Sequence, residues 1–172
     1  MRNGKKWLHP IKKAQAFYLR AAIGEKEGHV SFGIGSGPAC SSILKTSSEN
    51  KFWCANTAEK IQTVLLTLEG LLNLFPDTIQ TINLKVDAEG ADLAALRGAG
   101  ASIHRFDTIV IECNGRHSTK KYREGECMQD EAEAFMRNLG YQVFAGEQGD
   151  LVNIYFVTQA RPVKLPNLLK WE

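Results

Sequence analysis

Short runs rich in β-branched and aromatic residues alternate along this chain with stretches of helical character, the pattern of a mostly parallel sheet covered by helices. Ala16–Ile23 (AFYLRAAI) predicts a strand ended by Gly24-Glu25-Lys26-Glu27-Gly28, and His29–Ile34 predicts a second, short one. Gly33, Gly35, Gly37 and Pro38 then predict a loop, and Ser41 to Asn50 is polar enough to stay at the surface. Gln62–Leu68 suits a strand leading into a short helix, Glu69–Phe75, stopped by Pro76.

The next segment carries the clearest periodicity. Thr81–Asp87 (TINLKVD) predicts a strand with Ile82, Leu84 and Val86 on one face, and Ala91–Ala99 a helix ending at Gly98 and Gly100. Thr108–Cys113 (TIVIEC) is almost entirely β-former, as expected of a parallel strand buried on both faces. After a polar loop, Asn114–Glu126, come a helix at Gln129–Leu139 and two strands, Tyr141–Ala145 and Leu151–Val157. The short connection Gly146 to Asp150 makes that last pair an antiparallel hairpin. The tail from Arg161 reads as loosely attached, and the whole chain as one domain.

Composition narrows the function classes. With 172 residues, 44% apolar and 23% charged, the chain is long enough for one sizeable core. Its 21 basic and 19 acidic residues leave a formal charge of +2, and no basic run is interleaved with aromatics, so nucleic acid is not an expected partner. The most apolar stretch, around Val64–Phe75, is interrupted by Thr67, Glu69, Gly70 and Asn73, so no membrane span is expected. The basic start, Met1 to Lys6, lacks the apolar region and cleavage site of a secretory signal. Cys40, Cys54, Cys113 and Cys127 form no Cys-x-x-Cys pair and read as free thiols of a reducing, cytoplasmic compartment.

In an open parallel sheet, ligands bind beyond the carboxyl ends of the strands. Asp87 closes one strand there, with Glu89 in the loop and Gly90 turning the chain; Glu112 closes the next, and Asn114 follows. Adjacent strands lie about 4.8 Å apart, so these acids can converge on one reacting atom or one divalent cation. A crowded, partly desolvated carboxylate gains affinity for a proton and suits a hydroxyl acceptor. The plainer reading is that Glu89 or Asp92 caps the following helix. Lys85 shares a strand side with Asp87 and, as an interior lysine, needs an acid or a ligand. His117 could shuttle protons or bind metal, although a loop histidine is more often solvated. The glycines at 33, 35 and 37 do not form a phosphate loop, because the third glycine of G-x-G-x-x-G would fall at Pro38 and no helix follows.

Leu84-Lys85-Val86-Asp87-Ala88-Glu89-Gly90-Ala91-Asp92-Leu93, then Leu96-Arg97-Gly98-Ala99, then Ile109-Val110-Ile111-Glu112, resembles the "KxDxEGaE…LrGa…ivxE" core of the FkbM-type methyltransferase family. Ala21-Ala22-Ile23-Gly24-Glu25 with Gly28-His29-Val30-Ser31-Phe32 is similar to its "nAvGd…g…f" segment, and Ser41-Ser42-Ile43-Leu44 to its "sSl" stretch. Val64 to Leu72 resembles the strand and helix that lead into the core, so the likeness runs from about Ala16 to Val157. It implies a Rossmann-like fold and transfer of methyl from S-adenosylmethionine to hydroxyl groups, often of sugars or polyketides. It also implies Lys85, Asp87, Glu89 and Glu112 at the reaction centre and Ala22, Ile23, Gly24 and Glu25 bordering the cofactor.

The family's first strand, glycine-rich turn and acid-ended second strand have no counterpart in Met1–Gln15, which holds one glycine and no acid. The expectation is an α/β, Rossmann-like sheet lacking two central strands, a fragment that binds S-adenosylmethionine weakly or not at all. The alternative is a non-catalytic α/β remnant that associates through exposed strand edges. A third reading, a divalent-metal hydrolase using Asp87, Glu112 and Asn114, keeps the acids and discards the resemblance. The sequence names no particular small-molecule acceptor.

Overall fold

The computed structural model describes residues 18–37, 40–47, 57–76, 78, 82–119, 122–145 and 149–158. The predicted tail from Arg161 and the segment Met1–Gln15 lie outside them.

Alternating side chains build the larger sheet. In β5 (Thr108–Asn114), Ile109, Ile111 and Cys113 point to one face and are almost wholly buried. Directly opposite, Val152, Ile154 and Phe156 of β7 (Leu151–Thr158) extend that face in antiparallel register. β6 (Tyr141–Ala145) pairs antiparallel with β7, as the short connection predicts, and β4 (Asn83–Lys85) pairs parallel with β5. The order is therefore β4-β5-β7-β6, a mixed sheet.

One layer of helix covers that apolar face. Leu93 and Leu96 of α2 (Asp92–Arg97), Ile103 of the 3-10 helix Gly100–Arg105, and Ala132 and Met136 of α3 (Gln129–Asn138) complete a single core with it. Arg97 reaches Glu131 at 2.6 Å across the two helices, and the Tyr141 hydroxyl donates to the carbonyls of Ile103 and Phe106. On the opposite face Lys85, Asp87, Gln142 and Asn153 are exposed, while Thr108 and Val157, toward the other end of the sheet, are buried.

A separate three-stranded sheet, β1-β3-β2, is formed by β1 (Ala22–Ile23), β2 (Gly28–Gly35) and β3 (Thr57–Leu66). β2 and β3 are antiparallel, so one mostly parallel sheet is corrected to two, one mixed and one largely antiparallel. Of the strand predicted over Ala16–Ile23, the described residues form β1 only at Ala22–Ile23, and Tyr18 and Leu19 before it are 84% and 58% exposed. α1 (Leu68–Leu72) follows, its first turn closed by the Thr67 hydroxyl accepting from the Gly70 amide.

Several local expectations are corrected. Gly33 and Gly35 belong to β2 rather than to a loop, and Gly33 exchanges both backbone hydrogen bonds with Ser42. That bridge draws Ser42 inside, so the stretch predicted to stay at the surface contributes buried Ser42 and Ser47. Lys85 lies on an edge strand, half exposed, and not in the sheet interior. The thiols are not free: Cys113 and Cys127 form a disulfide, and Cys40 is disulfide-bonded as well. The Asn114–Glu126 loop returns to its own start, where Asn114 bridges Met128, and this brings Cys127 against Cys113. A crosslinked pair removes the ground on which a reducing compartment was expected. Among the described residues no helix is long and apolar enough to cross a membrane.

Candidate functional site

β4 and β5 run parallel with Lys85 opposite Val110, and the ladder continues one residue further through Val86 N–H to the Val110 carbonyl at 2.8 Å. Two residues beyond that register on each strand stand Asp87 and Glu112. Side chains repeat with period two, so both project from the same end and the same open face of the sheet. Lys85, one step back on that face, pairs with Asp87 at 3.2 Å.

Glu89 joins them from the turn that follows β4. Its φ is +49°, a left-handed conformation that a glutamate holds only when its surroundings over-determine it. The surroundings are visible. The Ser42 hydroxyl donates to the Glu89 carbonyl at 3.0 Å, and Arg123 Nη2 lies 4.0 Å from its carboxylate. Behind the turn, the wholly buried Asp92 accepts from the amides of Ala88, Gly90 and Glu112, at 3.2 to 3.4 Å. Neither Glu89 nor Asp92 caps α2; its first residue is preceded by Ala91 with no side-chain cap. Asp92 instead ties the turn after β4 to the end of β5.

The electrostatics follow from crowding. Burial raises the Glu112 pKa above the usual carboxylate value, and the charge of Asp87 raises it further against the opposing pull of Lys85. Burial also raises Glu89; Arg123 opposes the shift, while Asp87, Glu112 and Asp92 add to it. Asp92 is raised by burial despite its three amide donors. Acids so placed bind a proton more readily than free carboxylates, the property a hydroxyl-proton acceptor needs.

Lys85, Asp87, Glu89 and Glu112 thus share one sheet end. Ala22, Ile23, Gly24 and Glu25 do not join them. β1 pairs with β3 in the other sheet, and the Gly24 carbonyl abuts Gly98, at the carboxyl end of α2. The acids gather at that helix's amino end, one six-residue helix away, about 9 Å. Among the described residues the two groups thus stand at opposite ends of α2. His117 is exposed in the loop after β5, and no group of three or more His, Cys, Asp or Glu among the described residues is arranged to hold a metal ion. Asn114, at the end of β5, is buried with its Oδ1 lacking a hydrogen-bond partner.

Sequence reasoning missed Arg123, Ser42 and the joining role of Asp92. An acid in the first turn of a helix reads as an ordinary dipole partner, and nothing in Tyr122-Arg123-Glu124 marks its arginine as buried. The Ser42 position carried a signal, since it lies in the stretch resembling "sSl".

No curated protein and no solved structure matches the chain. The family model described as the methyltransferase FkbM domain matches residues 4–143, a span that takes in β1 to β5, the acid-bearing end of the sheet and the arginine that faces it. The chain belongs to the FkbM methyltransferase family.

Proposed function

We propose that the acid tip of β4 and β5 is the acceptor-activating part of an O-methyltransferase site, with S-adenosylmethionine as the family's donor. The observation that carries this reading is the parallel pairing of β4 with β5, Lys85 opposite Val110, with Asp87 and Glu112 each two residues further along the chain. Glu112 takes the proton from the acceptor hydroxyl. Burial, with the charges of Asp87 and Asp92 beside it, keeps its affinity for that proton high, and Lys85 orients Asp87. Proton transfer of this kind contributes about 10²–10⁴-fold to a rate. The open face admits a small hydroxyl compound, sugar-like or otherwise.

Ala22 to Glu25, which the resemblance puts beside the donor, sit at the other end of α2 from the acids. The second reading, a non-catalytic α/β module that binds or assembles, is favoured by that separation and by the outer edge of β4, which pairs with no strand among the described residues. Three measurements divide the readings. Methyl transfer from labelled S-adenosylmethionine to a panel of hydroxyl compounds should fall about 100-fold or more in Glu112→Gln, and equal rates for the variant and the parent would refute the proton-accepting role. Titration calorimetry should give donor binding weaker than micromolar for this chain. Concentration-dependent sedimentation with no methyl transfer would favour the module.

A further inference from the structure

The loop between β5 and α3 is fastened to the acid tip by several bonds. The Cys113–Cys127 disulfide closes it, the Asn114 amide donates to the Cys127 carbonyl at 2.9 Å, and the Cys127 amide donates to the Gly90 carbonyl at 2.8 Å. Inside the loop, the Glu126 carboxylate accepts from the Tyr122 amide at 2.9 Å and the Arg123 amide at 3.1 Å. This fold-back turns the Arg123 side chain inward, where it is only 5% exposed and faces Glu89. A guanidinium taken out of water costs several kcal/mol unless anions compensate it, and burial lowers the Arg123 pKa while Glu89 and Glu126 hold it up.

We propose that Arg123 is a positioning residue for Glu89, brought to it by the Cys113–Cys127 crosslink, so that opening the crosslink uncouples the acid tip from its buried cation. The proposal rests on the reading of the tip as a proton-accepting site. Arg123 acts through Glu89: it holds the carboxylate beside the left-handed turn and offsets the negative charges around it. The charged groups facing Glu89 are Asp87 from the end of β4, Glu112 from β5, Asp92 from α2 and Arg123 from the loop. Lys85 faces Asp87 and Glu112, and Glu126 faces Arg123. Opening the crosslink is a two-electron reduction: a dithiol gives two electrons and two protons, Cys113 and Cys127 become thiols, and the reductant becomes a cyclic disulfide. Both cysteines are 2% exposed, so exchange requires the loop to open first.

The test follows the Glu89 carboxyl by carbon-13 NMR titration in the full chain, comparing the parent with Arg123→Met, Arg123→Lys and Cys113→Ala/Cys127→Ala. Removal of an opposite charge at this range should raise the Glu89 pKa by about one unit in Arg123→Met. Arg123→Lys should restore most of the parent value. Cys113→Ala/Cys127→Ala should shift in the same direction as Arg123→Met. A Glu89 titration unmoved in Arg123→Met overturns the positioning role, and one moved there but unmoved without the crosslink overturns the role of the disulfide. In Arg123→Met, kcat for methyl transfer should change more than KM, as expected of a residue that positions Glu89 without touching the acceptor. The titration needs neither donor nor acceptor: intact coupling in a chain that transfers no methyl tells against the O-methyltransferase reading, whereas methyl transfer without coupling tells against Arg123 alone.

Discussion

At the scale of single residues, the acid tip is held at the expense of stability, and the sign can be worked out for each group. Glu112 has a folded pKa raised above the ordinary carboxylate value, so its charged form disfavours the folded state at neutral pH, and the penalty fades as pH falls through the raised folded value toward the ordinary one. Glu112→Gln should therefore raise Tm by about 1–2 °C at pH 7, with no gain in acid, as thermal melts at the two pH values will show. Glu133 behaves oppositely. Burial raises its pKa, but hydrogen bonds from Gln129 and Arg137 and the charges of Arg116 and Arg137 outweigh that and lower it. Its contribution is present above pH 4.5 and lost as pH falls through the lower folded value. Gly90 marks a third kind of constraint. Its φ is +97°, and a Cβ there would stand 3.0 Å from the Glu126 Cβ and 3.3 Å from Leu44 Cδ1. Gly90→Ala should cost about 1–3 kcal/mol in denaturant unfolding, and methyl transfer should fall with it because the same turn carries Glu89.

At the scale of elements, what could be read from the chain follows from what each element is covered by. Thr108–Cys113 was legible as a strand because Ile109 and Ile111 are wholly buried, and Gln129–Leu139 as a helix because Ala132 and Met136 recur on one face toward the sheet. The positions of Asp87 and Glu112 were legible for the same reason: period two and parallel pairing place them without further information. Ala16–Ile23 was not, because β-forming side chains extend a strand only where a neighbour offers hydrogen bonds, and β3 offers them to Ala22 and Ile23 alone. The crosslink was hidden as well, since Cys113 and Cys127 are 14 residues apart and meet only because the loop returns to β5. A loop of that length contributes about 3 kcal/mol by restricting the unfolded chain. Cys113→Ala/Cys127→Ala should lose roughly that amount in urea melts, and reducing agent should then have no further effect on the variant's midpoint through this pair.

At the scale of the whole molecule, burial is unequally shared between the two sheets. β5 and β7 carry Ile109, Ile111, Ile154 and Phe156 at 0% exposure, whereas no residue of β2 falls in the buried class. Besides its own hydrogen-bond ladder, the three-stranded sheet is tied to the rest where the Glu69 amide donates to the Gly98 carbonyl, where Gly24 abuts Gly98, where Ile23 packs on the core, and through Ser42, which pairs with Gly33 and donates to the Glu89 carbonyl. Local opening free energies rise with buried apolar contact, so amides of β5 and β7 should exchange only through global unfolding. Those of β2 and β3 should exchange through a smaller opening that leaves the acid tip folded. Native-state hydrogen exchange across a urea series separates the cases. Two sets of protected amides, with β2 and β3 merging with the rest only near the unfolding midpoint, is the expected outcome; equal protection in both sheets from the start would mean the Gly24–Gly98 seam couples them into one cooperative unit. Gly98→Ala tests that seam directly, because its Cβ would run into the Gly24 carbonyl. It should speed exchange in β2 and β3 more than in β5, since the displaced contact belongs to the smaller sheet while the core beneath Glu112 is packed from the other side of α2.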